Sequence, residues 1–111
     1  MPNPYDYGWE KLFHANSLLC GPGLQSERLK RAIRCFKRLN PENQLPKEIR
    51  EEFFDFEKRM KAVKPKNQNQ SPFDATIDTF SDEEVQKAVE QINTFYDTVC
   101  RYKQPRNFSS D

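Results

Sequence analysis

Apolar residues recur at intervals of three and four along four segments of the chain, which is the spacing that places them on one face of a helix. The segments are residues 6–20, 24–39, 46–63 and 81–101. No stretch of useful length alternates apolar and polar residues as a half-buried strand does. The pattern therefore predicts an all-α fold, a compact antiparallel bundle of about four helices.

Turn and capping residues set the predicted helix boundaries. Gly-Pro-Gly at 21–23 ends the first helix, since glycine favours the residue after a helix and proline cannot continue one. Asn-Pro at 40–41 and Lys-Pro at 64–65 end the second and third helices in the same way. Ser81 and Glu84 form the capping box that begins the fourth helix.

Residues 64–75, KPKNQNQSPFDA, are the one long connection of the predicted bundle. They contain two prolines, four side-chain amides and hardly any apolar residue before Phe73, a composition typical of a loop. We therefore expect a single helical domain over residues 1–102 with a flexible connection at 64–75. Residues 103–111 show no helical period and are expected to form a loose tail.

Composition favours a folded cytoplasmic protein. Although 32% of the residues are charged, 13% are aromatic, including nine phenylalanines, and these supply the volume of a small core. No apolar run approaches the roughly 18 residues of a membrane span, and the N-terminal residues lack the basic and apolar parts of a signal peptide. Three scattered cysteines without a C-x-x-C pair favour reduced thiols over a disulfide framework.

The sequence offers little for catalysis or metal binding. His14 is the only histidine, and no cysteine lies at ligand spacing from it or from another cysteine. There is no glycine-rich phosphate loop and no Ser/His/Asp set within credible reach. The carboxylates of the third predicted helix spread around that helix, and two of them, Asp55 and Glu57, have basic partners four residues later. We therefore predict no enzymatic activity, no cofactor and no metal.

The second predicted helix carries the strongest functional signal. Residues 24–39 contain six basic residues and one acidic residue, although the formal net charge of the whole chain is only +1. A solvated helix face usually mixes signs, and like charges four residues apart each destabilise a helix by about 0.2–0.5 kcal/mol. On a helical wheel, five cations fall within an arc of about 120° opposite the apolar face. They are Lys30, Arg31, Arg34, Lys37 and Arg38.

Several partners could compensate this basic face. The acidic residues at 82–100 of the fourth predicted helix could pair with it inside the monomer. A protein partner or the phosphates of a nucleic acid could do so from outside, and the face could also simply be solvated. The chain has 18 Lys plus Arg and 17 Asp plus Glu, whereas nucleic-acid-binding domains commonly carry a basic excess. This balance favours internal pairing or a protein partner.

Phe54 is the second candidate for binding. The helical wheel places it about 140° from Ile49, on the polar face of the third predicted helix. A neighbouring loop could cover it. Otherwise an exposed phenylalanine flanked by long basic side chains is suited to anchor a protein interface or self-association. We predict a protein–protein interaction module, with nucleic-acid association through the basic face as the alternative.

Three motifs follow one another in the first half of the chain: WEKLFHA at 9–15, LQSERLKRA at 24–32 and LPKEIR at 45–50. Their order resembles that of small, uncharacterised bacterial helical proteins with Trp-x-Lys-Leu, Leu-Gln-x-x-Arg-Leu and Leu-Pro-x-Glu-Ile-Arg helices. The resemblance covers residues 9–60 and implies a bacterial, cytoplasmic helical protein, but it implies no activity or ligand. The basic face of the second predicted helix and Phe54, taken with this origin, lead us to expect an adaptor or regulatory subunit of a bacterial complex.

Overall fold

Six helices make up the regular secondary structure of the described part of the chain. The structure, a computed structural model, describes residues 5–102, so the predicted tail at 103–111 lies outside the described residues. Residues 5–102 contain no strand, which confirms the predicted all-α class. The helices are α1 (Asp6–Leu19), α2 (Gln25–Arg34), α3 (Pro41–Gln44), α4 (Lys47–Met60), α5 (Pro72–Ile77) and α6 (Asp82–Tyr102).

The helix count differs from the prediction of about four. Helices α1, α2, α4 and α6 correspond to the four predicted helices, while α3 and α5 are additional short helices. Within residues 5–102, no helix combines the length and the apolar character that crossing a membrane requires.

A cluster of phenylalanines forms the centre of the core. The ring of Phe53 on α4 lies 5.3 Å from the ring of Phe36 and 5.3 Å from the ring of Phe95, measured between centroids. Both pairs adopt the inclined arrangements that aromatic rings prefer. The cluster therefore joins α4, α6 and the turn that follows α2. Other buried core residues are Leu12, Leu29, Ile33, Ile49, Met60, Val85, Ile92 and Val99.

A close approach between α1 and the end of α3 depends on Gly8. A Cβ atom at Gly8 would lie 2.2 Å from the backbone oxygen of Gln44 and 3.1 Å from Cδ2 of Leu45. The first distance is far below van der Waals contact, so only glycine fits at this position.

Polar contacts define the beginning of α6 and its alignment with α1. The predicted capping box is present: the Ser81 amide donates to Oε1 of Glu84 at 2.8 Å, and the Glu84 amide donates to Oγ of Ser81 at 3.2 Å. Farther along α6, the Asn16 side chain of α1 donates to Oδ1 of Asn93 at 2.9 Å. A specific amide pair of this kind fixes the register of two packed helices.

The connection predicted at 64–75 is shorter in the structure, because α5 begins at Pro72. Oγ of Ser71 accepts a hydrogen bond from the Asp74 amide at 3.0 Å, and proline is well suited to the first turn of a helix. Oγ1 of Thr76 accepts from the Val63 amide at 3.0 Å, which ties α5 to the chain leaving α4. Ser71 and Pro72 thus begin a helix within a segment whose composition is typical of a loop.

Adjacent phenylalanines provide a matched test of the core. Phe53 is 0% exposed and Phe54 is 48% exposed. Phe53→Ala should lower the free energy of unfolding by about 3–5 kcal/mol because it removes a ring at the centre of the core. Phe54→Ala should change it by less than about 1 kcal/mol. Urea unfolding followed by circular dichroism measures both variants, and equal losses would contradict the orientation of α4.

Gly8→Ala should destabilise the protein, although alanine is the better helix former by about 1 kcal/mol. The added Cβ would overlap the Gln44 carbonyl oxygen, which cannot move unless α3 separates from α1. Thermal unfolding measures whether the free energy of unfolding falls as expected. Ser17→Ala on the exposed side of α1 is the control, and its free energy of unfolding should stay within about 0.5 kcal/mol of the wild-type value. A Gly8→Ala variant as stable as the wild type would refute the close approach.

Candidate functional site

The five predicted cations are divided between α2 and the turn that follows it. Helix α2 ends at Arg34, and the amides of residues 35–37 donate to carbonyl oxygens three residues earlier, at 3.0, 2.9 and 3.3 Å. Lys37 and Arg38 therefore lie in a tight turn beyond the helix. The sequence predicted a helix to residue 39 because the apolar spacing continues through this turn.

Two of the cations are paired inside the monomer. Nζ of Lys30 lies 2.6 Å from Oδ1 of Asp78, and Nη2 of Arg34 lies 3.1 Å from Oδ2 of Asp74. The hydrogen bond with Asp78 raises the pKa of Lys30 above its ordinary value and lowers the pKa of Asp78. The Lys30 side chain is only 16% exposed, so it is not available to an external ligand.

The carboxylates in these pairs come from α5 and the residue that follows it, rather than from the acidic helix α6, which was the expected internal partner. Where α2 meets α6, an uncharged pair is found: the Gln25 side chain donates to Oε1 of Gln86 at 2.9 Å. Asp74 lies within α5 and Asp78 caps its C-terminal end, and both reach α2 because α5 packs against it. Internal pairing thus holds for Lys30 and Arg34, with a different partner helix.

A groove lies between α1 and α2, with a cavity volume of about 390 Å³. We call it the basic groove. The described residues that line it include five lysines and arginines but no aspartate or glutamate. Positive charge from two packed elements therefore converges on one cavity. The lining residues are Tyr7, Lys11, His14 and Leu18 of α1, with Arg31, Arg34, Cys35, Lys37 and Arg38 of α2 and the following turn.

Two cations of the basic groove are held by neighbouring groups. Nη2 of Arg31 donates to the Pro22 carbonyl at 2.8 Å, within the turn between α1 and α2. That turn includes Gly23 with a φ of 100°, a conformation that favours glycine. Nζ of Lys11 lies 5.1 Å from the centroid of the Tyr7 ring, in a cation–π contact. Both charges are therefore positioned before any ligand binds.

Lys11 and His14 are groove residues that the sequence prediction missed. They lie on the polar flank of α1. Polar residues are expected on the solvent-facing side of any surface helix, so their presence alone indicates no function. No pattern within α1 indicates that this flank faces the cations of α2. Only the packing of α1 against α2 brings the two sets together.

Cys35 supplies the one thiol among the described residues that line the basic groove. Burial raises the pKa of its thiol. Since the thiolate is the reactive form, this shift leaves the sulfur protonated and weakly nucleophilic at neutral pH. The Cys35 thiol is therefore a poor candidate for a nucleophile.

Phe54 lies on α4, outside the basic groove. Its ring is 48% exposed, so the described residues do not bury it as a covering loop would. Arg50 and Lys58 occupy the positions four residues before and after it, where side chains on a helix are neighbours. Glu51 and Glu57 lie three residues before and after it, so the structure leaves Phe54 accessible on a surface with charges of both signs.

The larger cavity between α4 and α6, of about 570 Å³, offers a weaker functional signal. Its floor includes Phe56 and Met60, but its rim mixes charges of both signs and so selects no ligand charge. The rim charges are Arg59, Lys87, Glu84 and Glu90. Within residues 5–102, no group of three or more His, Cys, Asp or Glu side chains is arranged to hold a metal ion.

No model of a known protein family matches the chain, and comparisons with curated proteins and with solved structures likewise give no match. The motif resemblance to small bacterial proteins therefore stays a prediction. Function must be inferred from this chain's own residues.

The Lys30–Asp78 pair predicts a pH-dependent contribution to stability. Asp78→Asn should lower the free energy of unfolding at neutral pH by up to about 1 kcal/mol, the range of a partly exposed pair. Because the folded-state pKa of Asp78 is lowered, the contribution is present above the unfolded-state pKa of about 3.9 and is lost as the pH falls through the folded-state value. The variant and the wild type should therefore converge in acid.

Titration of Lys30 determines the pH above which the Lys30–Asp78 pair no longer contributes to stability. Its folded-state pKa is raised from 10.5, so the contribution is full below that value and is lost as the pH rises through the folded-state value. Urea unfolding over a pH series measures the difference. Asp97→Asn is the control, because Asp97 and its partner Arg101 are 75% and 62% exposed and should contribute less. A pH-independent difference for Asp78→Asn would contradict an ionic pair.

Proposed function

We propose that this protein is a non-enzymatic interaction module that binds an acidic segment of a partner protein in the basic groove. The observation that carries the proposal is the convergence of lysines and arginines from two elements on one cavity whose described lining residues include no carboxylate. Close like charges destabilise the free protein by a few tenths of a kcal/mol per pair, roughly, and an anionic ligand relieves that repulsion. Binding is therefore favoured by the attraction between the anionic ligand and the groove cations and by the reduced repulsion among those cations.

The charges left after internal pairing support this proposal. Asp78 neutralises Lys30, and Asp74 offsets Arg34. Lys37 and Arg38 are exposed in the turn after α2, and Arg31 and Lys11 are positioned by neighbouring groups. At least four cations therefore remain for a ligand.

A short acidic segment fits the groove better than a long polyanion does. The net charge of +1 provides little long-range attraction to a nucleic acid. Glu27 and Glu10 line depressions that share Arg31 and Lys11, respectively, with the basic groove. A phosphate backbone that extended past the groove would approach these carboxylates.

Single-stranded nucleic acid is the alternative, and one observation favours it. The ring of Phe13 is 47% exposed and stacks on Trp9 with the centroids 5.1 Å apart. Phe13 also shares a depression with Lys11 and His14 of the basic groove. An exposed aromatic ring beside a row of cations is a common way of stacking unpaired bases.

Phe54 supplies a second proposed contact, on a helix that does not line the groove. Two separate binding surfaces suit an adaptor or regulatory subunit of a cytoplasmic bacterial complex, which is the role we propose. The partner at Phe54 would be another subunit or a second copy of this chain, because an exposed aromatic ring is a typical interface anchor.

Binding of a fluorescein-labelled peptide of alternating glutamate and serine tests the proposed function. Fluorescence anisotropy should show that Arg31→Glu with Lys37→Glu weakens binding by about tenfold or more, because two groove cations become repulsive. Lys47→Glu with Lys64→Glu is the matched control, since it changes the net charge equally at exposed positions that do not line the groove. The control should weaken binding by less than about twofold.

Equal weakening by the two double variants would show that the peptide responds only to net charge, which would contradict a specific groove. Tighter binding of a labelled single-stranded oligonucleotide by the wild type, with affinity that falls steeply with salt, would favour the nucleic-acid alternative.

A further inference from the structure

We infer that the basic groove is a phosphate-binding site and that the partner segment carries a phosphorylated serine or threonine. This inference rests on the proposed function and names the group that the groove is suited to hold. A phosphorylated side chain carries a charge of about −1.5 to −2 and three strongly accepting oxygens on a single small group.

The concentration of charge in the groove favours such a dianion over separate carboxylates. Five lysine and arginine side chains line one cavity of about 390 Å³. Along an extended peptide, side chains on the same face are separated by about 7 Å, since each residue advances the chain by about 3.3 Å and faces alternate. Few carboxylates of one peptide can therefore enter the cavity together, whereas one phosphate brings two charges at once.

Two groove cations, Arg31 and Lys11, are fixed in position by neighbouring groups, and this also favours a phosphate as the ligand. Arg31 uses one terminal nitrogen to bond the Pro22 carbonyl at 2.8 Å, and its other N–H groups remain for a ligand. A guanidinium that is already fixed loses less conformational entropy on binding, and its forked donors match the geometry of a phosphate. Lys11, above the Tyr7 ring, adds a second positioned charge from the opposite wall.

The surroundings of the groove favour a single phosphate over a chain of phosphates. Glu27 lies in the adjoining depression on the side of the turn between α1 and α2. Glu10 lies in the depression on the outer side of α1, and Asp74 lies beside Arg34. These carboxylates limit how far a negatively charged ligand can extend beyond the cavity, and they leave the isolated phosphate as the ligand of best fit.

Titration of free O-phosphoserine into the isotopically labelled full chain, followed by NMR of the backbone amides, tests the assignment. Amides of residues 11–14 and 31–38 should shift most. The affinity should exceed that of free glutamate at equal ionic strength by about tenfold or more, because the phosphate accepts more charge-assisted hydrogen bonds. Inorganic phosphate should shift the same amides and compete with phosphoserine.

Variants separate recognition from folding. Lys37→Gln should weaken phosphoserine binding without unfolding the protein, because Lys37 is exposed in the turn after α2. Arg31→Lys keeps the charge but loses the guanidinium fork that a phosphate can bond in a bidentate way, so it should weaken phosphoserine binding. Lys47→Gln, exposed on α4, is the control and should leave both affinities unchanged.

The outcomes distinguish this inference from the proposed function. Equal affinity for glutamate and phosphoserine, or shifts centred outside the groove, would overturn the phosphate assignment while binding of the acidic peptide still supported the interaction module. Loss of both peptide binding and phosphoserine shifts would overturn both. A single-stranded oligothymidylate that displaces phosphoserine and binds at least about tenfold more tightly than a phosphoserine peptide would replace the phosphoprotein partner with a nucleic acid.

Discussion

Contact among Phe36, Phe53 and Phe95 is the interaction on which the fold and the candidate site both depend. Phe36 lies in the turn after α2, and packing of its buried ring against Phe53 of α4 holds that turn in place. Lys37 and Arg38 follow directly in the chain and are exposed, so the core contact also places two of the groove cations. These two cations are therefore positioned by apolar packing, which salt does not screen as it screens contacts between exposed charges.

The basic residues of α2 and its turn serve two different purposes. On one side, Lys30 and Arg34 pair with Asp78 and Asp74 at the end of α5 and within it, and these pairs add to the burial of Ala75 and Ile77 in docking that short helix. On the other side, Arg31 turns toward the Gly-Pro-Gly segment and α1, where the lining residues supply further cations instead of counter-charges. A single amphipathic helix thus contributes both to the monomer's own stability and to a surface that has unbalanced charge.

Local patterns account for much of the fold. The apolar spacing located α1, α2, α4 and α6, and the capping box of Ser81 and Glu84 located the beginning of α6, because both signals arise between residues close in sequence. Helix α5 was missed because six residues contain too few turns to show a period. Its start at Ser71 and Pro72 is visible in the sequence, but the surrounding amides and prolines are typical of a loop.

The sequence by itself determined which side of α2 is basic and that Phe54 lies on a polar face, since both follow from the angular spacing of residues along one helix. Only the tertiary structure decided which charges are neutralised and which converge. Asp78 reaches Lys30 from 48 residues away, and Lys11 joins Arg31 only because α1 packs against α2. Helical periodicity describes the faces of each helix separately, whereas the pairing of faces depends on how all the apolar surfaces are buried together.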